Sequence, residues 1–247
     1  FFSFLNIAIA AATDIFTSMH SLTLPDPLAN AVVCLLAYLE KFIWPQNLGI
    51  LYPHPGETLT VSQILPAAAA VIVITAVVLL AGSRHRYLPM GWFWFLIVLF
   101  PVSGLFQNGH QAMADRFVYM PVLGLMIIAI WGGYDLLGRL KIPPWAGVLL
   151  VALITAALMV RTCRQVHYWE NSLSLFTRTL AVTNDNYLMH DYAGVQWIQR
   201  GKLDRAFRHF QAAIAINPRY AEAYFNAGTY LLFHGRWEEA ENFLKRS

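Results

Sequence analysis

The chain has 247 residues, of which 57% are hydrophobic and only 13% charged, and its formal net charge is +3. A soluble domain carries about twice that charged share, and so small a net charge with no basic run argues against a nucleic-acid partner. The charges are also uneven: 13 of the 31 fall within residues 1–162 and 18 within the last 85, so the first part is not an ordinary soluble fold.

The chain opens at Phe1 inside an apolar run and stops at Ser247 inside a repeat. It is therefore expected to be an internal fragment of a longer protein, and a missing signal peptide carries no meaning. Residues 1–16 are expected to end another helix, with Asn6, Thr13 and Asp14 interrupting it. The stretch 28–44 is amphipathic to apolar and carries Glu40 and Lys41, so it either spans or lies in the interface. A helix needs about 20 apolar residues to cross a bilayer. Four later segments meet that need, at about 64–82, 87–106, 118–137 and 145–162.

The short loops set the orientation. One holds Arg84, His85 and Arg86, and another holds Arg139 and Lys141. The opposite loops, 45–63 and 107–117, hold Glu57, Asp115 and Arg116 and have no basic excess. The positive-inside rule places the first two loops in the cytoplasm and everything after the last span on the other face. Arg161 and Arg164 run slightly against that placement. Trp44, Tyr87, Trp92, Trp94, Trp145, Tyr168 and Trp169 lie near predicted span ends, as an interfacial aromatic belt does. Cys34 and Cys163 form no CxxC pair and imply no disulfide framework.

Beyond Cys163 the chain becomes polar and repeats itself. Gly194, Gly201 and Ala206 recur 34 residues later as Gly228, Gly235 and Ala240, the period and small-residue pattern of a tetratricopeptide (TPR) array. The fold class that follows is all-α: a polytopic helical membrane domain (1–163), a helical half repeat joining it to the array (164–186), and TPR repeats (187–247). The first full repeat runs from Tyr187 to Tyr220, with Gly194 allowing close helix approach and Trp197 filling the pair. Gly201 marks its turn, and Pro218 ends its second helix. The second begins near Ala221. Trp169-Glu170 stands two periods before Trp237-Glu238, and Phe176 one period before Phe210, so 168–182 is expected to be a helix-B-like half repeat that holds the array rigidly over the membrane. A TPR stack binds peptides along the concave face of its A helices. Here that face is Asp191, Val195 and Ile198, then Phe225, Asn226, Thr229 and Leu232. Asn226 either bonds the backbone of an extended peptide or caps locally.

No GxSxG, HExxH, Walker or GxGxxG motif is present. The polar groups with chemical potential lie on the non-cytoplasmic side. Tyr52-Pro53-His54-Pro55-Gly56-Glu57 is a stiff turn. Gln107-Asn108-Gly109-His110-Gln111 leads into Ala114-Asp115-Arg116-Phe117-Val118-Tyr119-Met120-Pro121. An arginine at the threshold of a span is costly without a partner. Asp115 can be that partner, or the guanidinium can hold a phosphate in bidentate fashion. No cluster with ligand spacing surrounds His54 or His110, so no metal is expected.

Taken together, these segments resemble those of the bacterial relatives of the TMTC proteins. These are multi-spanning GT-C-type protein O-mannosyltransferases with C-terminal TPRs. The resemblance is carried by Leu24-Pro25 through Leu28-Ala29-Asn30, by Tyr38-Leu39-Glu40-Lys41-Phe42-Ile43-Trp44-Pro45, and by Tyr52-Pro53-His54-Pro55. The Ala114–Pro121 run and Tyr168-Trp169 complete it, with Met120 where the family more usually has Leu. It implies an integral-membrane transferase that moves a sugar, mannose in the family, from a polyprenyl-phosphate donor to protein Ser or Thr on the outer face. The setting it implies is a bacterial inner membrane with the TPRs on the periplasmic or external side. The partners would be membrane lipid and a protein acceptor held by the TPRs, with no nucleic acid. The family's acidic base lies in an external loop expected before Phe1, so no catalytic residue is assigned within this chain. Arg116 is carried over as the phosphate contact, with Asp115 orienting it and Tyr119 supporting it. His110 and His54 are further donor-side candidates. Two other readings stay open: a non-enzymatic membrane-anchored TPR scaffold for envelope or export proteins, and a transferase or ligase of lipid-linked glycans.

Overall fold

A computed structural model describes residues 25–53, 59–103 and 111–247. His54 and His110, and the expected helix end at 1–16, lie outside the described residues. The described residues are mainly helical, with two short extended segments, β1 (Tyr52–Pro53) and β2 (Gln111–Met113). It divides into two compact units. The first takes the chain up to Gln46 and His54–Arg161, and the second takes Asn47–Pro53 and Thr162–Ser247.

The first unit begins with α1 (Pro25–Ile43). Three of its residues, Asn30, Cys34 and Tyr38, are spaced four apart and buried on one stripe, as a 3.6-residue period requires. Next comes α2 (Val61–Gly82). The Gln63 side chain caps its start, accepting from the Thr60 N–H at 3.2 Å. Helix α3 covers Tyr87–Leu99 and continues as a 3-10 turn over Phe100–Val102. Pro101 has no N–H to donate, so the α-ladder cannot run on at full regularity. Helix α4 (Val122–Arg139) follows a 3-10 turn at Asp115–Val118, and α5 (Pro144–His167) starts with a proline at its first position, where the lost N–H costs nothing.

Three of these helices, α2, α4 and α5, are long and apolar enough to cross a membrane, while Tyr87–Val102 is apolar but shorter. At about 1.5 Å per residue, those 16 residues reach only about 24 Å. Most of α5 is exposed, including Val148, Leu149, Val151 and Leu153, as expected of a lipid-facing helix.

Packing between α3 and α4 uses glycine. A Cβ on Gly91 would strike the Gly124 carbonyl, and one on Gly124 would strike the Gly91 carbonyl. Backbones can approach this closely only through small residues, a device common between membrane helices. Trp92 departs from the expected aromatic belt. It is buried to 1% exposure, and its Nε1 donates to Thr75 Oγ1 of α2 at 3.0 Å.

Contacts gather the helix ends of this unit into two sets. At one end His85 and Tyr87 both meet Asp135, at 2.9 Å each. At the other, Lys41 of α1 meets Asp115 at the head of α4. There Arg161 of α5 donates to the Pro45 carbonyl at 3.0 Å and stacks over Trp44.

The second unit contains α6 (Ser172–Val182), α7 (Tyr187–Gln199), α8 (Leu203–Ile216), α9 (Ala221–Phe233) and α10 (Trp237–Leu244). Asn171 caps α6 and Asn186 caps α7, each accepting from a backbone N–H three residues on. The two repeats are built alike. Gly201 and Gly235 end α7 and α9 at φ of 68° and 70°, a conformation that glycine adopts without steric cost. Gly194 faces Phe210, and Gly228 faces Leu244, the same contact one period apart. Ala206, Ala213 and Ala240 are fully buried. Helix α8 stops two residues before Pro218.

Residues 47–53, expected to be only a loop between spans, belong to this unit. The Ile50 N–H donates to Thr179 Oγ1 at 3.2 Å, and Asn186 Nδ2 donates to the Leu51 carbonyl at 3.1 Å.

Candidate functional site

In the first unit the candidate site is the segment Gln111–Tyr119, and α1 builds its support. Tyr38 is the fulcrum. Its hydroxyl donates to the Ala114 carbonyl at 3.1 Å and accepts from the Ala114 N–H at 3.2 Å. One turn earlier, the Cys34 thiol points at the Ala112 carbonyl at 3.7 Å. Ala112, Met113 and Ala114 are all buried. The backbone is therefore fixed immediately before the charged pair.

Asp115 then pairs with Lys41, Oδ1 to Nζ at 3.1 Å, in a partly sheltered position. Arg116 is exposed. Its Nη2 donates to Gln111 Oε1 at 3.1 Å, and its guanidinium lies over the Phe117 ring at 5.1 Å. The sequence leaves two partners open for Arg116, an Asp115 pairing or a phosphate; in the structure Asp115 meets Lys41 of α1, and Arg116 meets Gln111. Two cations, Lys41 and Arg116, thus serve the segment that leads into α4, the first paired with Asp115 and the second bonded to Gln111. Tyr119 is 74% exposed and makes no hydrogen bond to them. On the far side, Trp94 Nε1 donates to the Met120 carbonyl at 3.1 Å. Sequence reasoning missed Lys41 and Tyr38. Both lie in the Tyr38–Pro45 run, where only the helical spacing of Tyr38, Lys41 and Phe42 hinted at a shared face.

In the second unit the expected concave-face residues fall into two groups. Asp191 is buried, and its Oδ1 accepts from Asn226 Nδ2 at 2.8 Å. The Tyr220 hydroxyl stands 3.5 Å from its other oxygen. Burial pushes the Asp191 carboxyl above its ordinary range, with the Asn226 bond working in the opposite direction. Asn226 is therefore engaged within the fold. Val195 packs on the core formed by Ala206, Phe210 and Ala227, and Leu232 packs on that of Tyr230, Leu231 and Ala240. Thr229 donates to the Phe225 carbonyl at 2.8 Å. What remains outward is apolar: Ile198 at 39% and Phe225 at 56% exposure, joined by Tyr192 at 41%.

Fold and site together define a multi-helix membrane protein that carries tetratricopeptide repeats. A tetratricopeptide-repeat family model matches residues 198–247. The chain's homologues are protein O-mannosyl-transferases of the TMTC kind. It is 28% identical over 166 residues to Protein O-mannosyl-transferase Tmtc3 of Drosophila melanogaster, which covers 66% of this chain and 17% of that protein. It is 27% identical over 154 residues to Protein O-mannosyl-transferase TMTC1 of Homo sapiens, covering 59% of this chain and 17% of the relative. A third relative, Protein O-mannosyl-transferase TMTC4 of Homo sapiens, is 28% identical over 132 residues, 52% of this chain and 17% of its own length. The chain thus spans about 17% of the matched relatives' length. No solved structure matches.

Proposed function

We propose that this chain forms part of an integral-membrane transferase of protein O-mannosylation. In this reading it supplies the donor-side wall and the first of the acceptor-binding repeats. The donor is a mannose carried on a polyprenyl phosphate, and the acceptor is a protein Ser or Thr. The observation that carries the reading is the cation pair, Lys41 and Arg116, held at the head of an apolar helix by the Tyr38 grip on Ala114. A lipid-linked donor must keep its tail in hydrocarbon and its phosphate at the surface. An arginine fork at a span end suits that phosphate, and Asp115 neutralises only one of the two cations.

The sidedness in this reading comes from loop charge and span parity. Residues 47–53 follow α1, whose C-terminal end carries Lys41, and they pack into the repeat unit. The loop that bears Arg116 has no basic excess, which supports reading its face as non-cytoplasmic, and the same span parity puts the repeats on that face. Repeats on that face raise the effective concentration of an acceptor segment near the donor. The exposed Ile198, Phe225 and Tyr192 would contact its apolar side chains.

The test is mannose transfer from a polyprenyl-phosphate donor to a Ser/Thr-rich protein, run with a longer protein that includes this chain. Loss of a charge-assisted contact predicts at least about a tenfold fall in transfer for Arg116→Ala, with Arg116→Lys intermediate. Unchanged transfer in Arg116→Ala would remove the donor assignment. Acceptor binding with no transfer at all would favour the scaffold reading instead.

A further inference from the structure

The first repeat contains a feature that the second lacks. His190 of α7 and His209 of α8 face each other with Nδ1 atoms 3.1 Å apart. Their rings are 5.3 Å apart and tilted by 46°. One period later the same interhelix contact is Tyr224 against Phe243, with ring centroids 5.9 Å apart. The repeat framework therefore accepts two aromatic rings at this contact, and imidazoles are a departure that packing does not demand.

The departure is coordinated. The two histidines line a cavity of about 290 Å³ together with Trp197, Arg205 and Arg208. In the second repeat the matching residues are Leu231, Glu239 and Asn242. So two arginines stand where the other repeat has an acid and an amide. Arg205 lies over the Trp197 ring at 4.7 Å. Arg208 makes no hydrogen bond or ion pair among the described residues. The groups facing the histidine pair are Arg205 and Arg208 of α8, while α6 and α9 contribute no charged or titratable group to the lining. Asp204, close by in sequence, is occupied by the Tyr230 hydroxyl at 2.9 Å.

We propose that this cavity is an anion site of the phosphate class, with Arg205 and Arg208 supplying charge and the histidine pair supplying imidazole N–H donors. In a 3.1 Å contact between two Nδ1 atoms, one nitrogen donates and the other accepts. Adding one proton gives the pair a positive charge, and a bound anion stabilises that state. Partial burial lowers the proton affinity of both rings, and for His209 the nearby His190 and Arg208 lower it further. The empty site is therefore neutral at the imidazoles near pH 7, and anion affinity rises as the pH falls. The site lies outside the Arg116 segment and stands whether or not the proposed transferase reading holds.

The experiment is calorimetric titration of the full chain in detergent with inorganic phosphate, at about pH 5.5 and about pH 8. Sulfate, which keeps its charge across that range, is titrated in parallel. Sulfate is expected to bind about tenfold more tightly at the lower pH. Arg208→Gln should weaken it by about tenfold, and His209→Gln should abolish the pH dependence while leaving residual binding. Absence of saturable sulfate binding at the lower pH would overturn the proposal, as would binding unaffected by both variants. Vesicles containing phosphatidic acid distinguish the sources. Saturable binding of free phosphate supports a soluble phosphate ligand, and binding only to the vesicles refutes it.

Discussion

Gly194→Ala adds one methyl group where the structure has no room. The new Cβ would sit 2.8 Å from Phe210 Cδ1 and 2.9 Å from Cζ, and closer still to Cε1. Carbon atoms prefer about 3.5–4.0 Å. Phe210 is fully buried, so its ring cannot swing aside and α7 must move from α8. Overpacking of this kind costs about 1–3 kcal/mol. Alanine returns about 0.5–1 kcal/mol through helix propensity, leaving a net loss centred on about 1 kcal/mol and reaching at most about 2.5 kcal/mol. Urea unfolding of the full chain in detergent, followed by circular dichroism, measures it. Gly228→Ala is the internal comparison. Its Cβ meets Leu244 Cγ at 2.8 Å and Cδ2 at 2.9 Å, and Leu244 is a half-buried chain that can change rotamer, so the cost is smaller. A Gly194→Ala protein as stable as the parent, or losing less than Gly228→Ala, would refute the close-packing argument. Combining Gly194→Ala with Phe210→Leu should recover part of the loss.

Three further outcomes follow from particular contacts. Tyr38→Phe leaves the buried N–H and carbonyl of Ala114 unpaired, at a cost of about 1–3 kcal/mol, and hydrogen exchange should accelerate at residues 111–116 while the repeats keep their protection. Burial raises the Asp191 carboxyl above the ordinary carboxylate range, so the folded state disfavours the ionised form. This group's contribution therefore falls as pH rises from the ordinary carboxylate range through the raised value. Asp191→Asn keeps an acceptor for Asn226, and it should flatten that part of the curve of melting temperature against pH. A steeper acid-side slope would count against the buried-carboxylate argument. In a Cys163→Ser background, which removes the exposed native thiol, Arg205→Cys should react with a membrane-impermeant maleimide from the non-cytoplasmic side, and labelling from the cytoplasm alone would overturn the orientation.

Much of the architecture was legible because it is periodic. Gly194 and Gly228, Gly201 and Gly235, and Ala206 and Ala240 announce the repeat, since each solves the same steric problem twice. Apolar length announces α2, α4 and α5. What periodicity does not encode is where irregular segments go. Residues 47–53 join the repeat unit through Ile50 and Leu51 backbone groups, and backbone bonding leaves little trace in side-chain identity. Trp92 resembles an interfacial tryptophan by position, yet it is buried because Thr75 offers its N–H a partner inside the bundle. At the candidate site, Asp115 and Arg116 stand out as charges at a span end. Their partners, Lys41 and Gln111, depend on how α1 lies against the 111–114 segment. Likewise Asn226 can be suspected from its helix, but its engagement with Asp191 requires two repeats to be stacked.

The central claim is that the Arg116 segment meets the phosphate of a polyprenyl-linked donor. Photocrosslinking tests it directly. A photoreactive residue placed at Tyr119, beside Arg116 and exposed, is irradiated in membranes containing a polyprenyl-phosphate mannose analogue, with a second probe at Lys141 as the opposite-face control. An adduct at position 119 that is lost in Arg116→Ala and absent at position 141 is the predicted result. Equal labelling at both positions, or an adduct indifferent to Arg116, would contradict it.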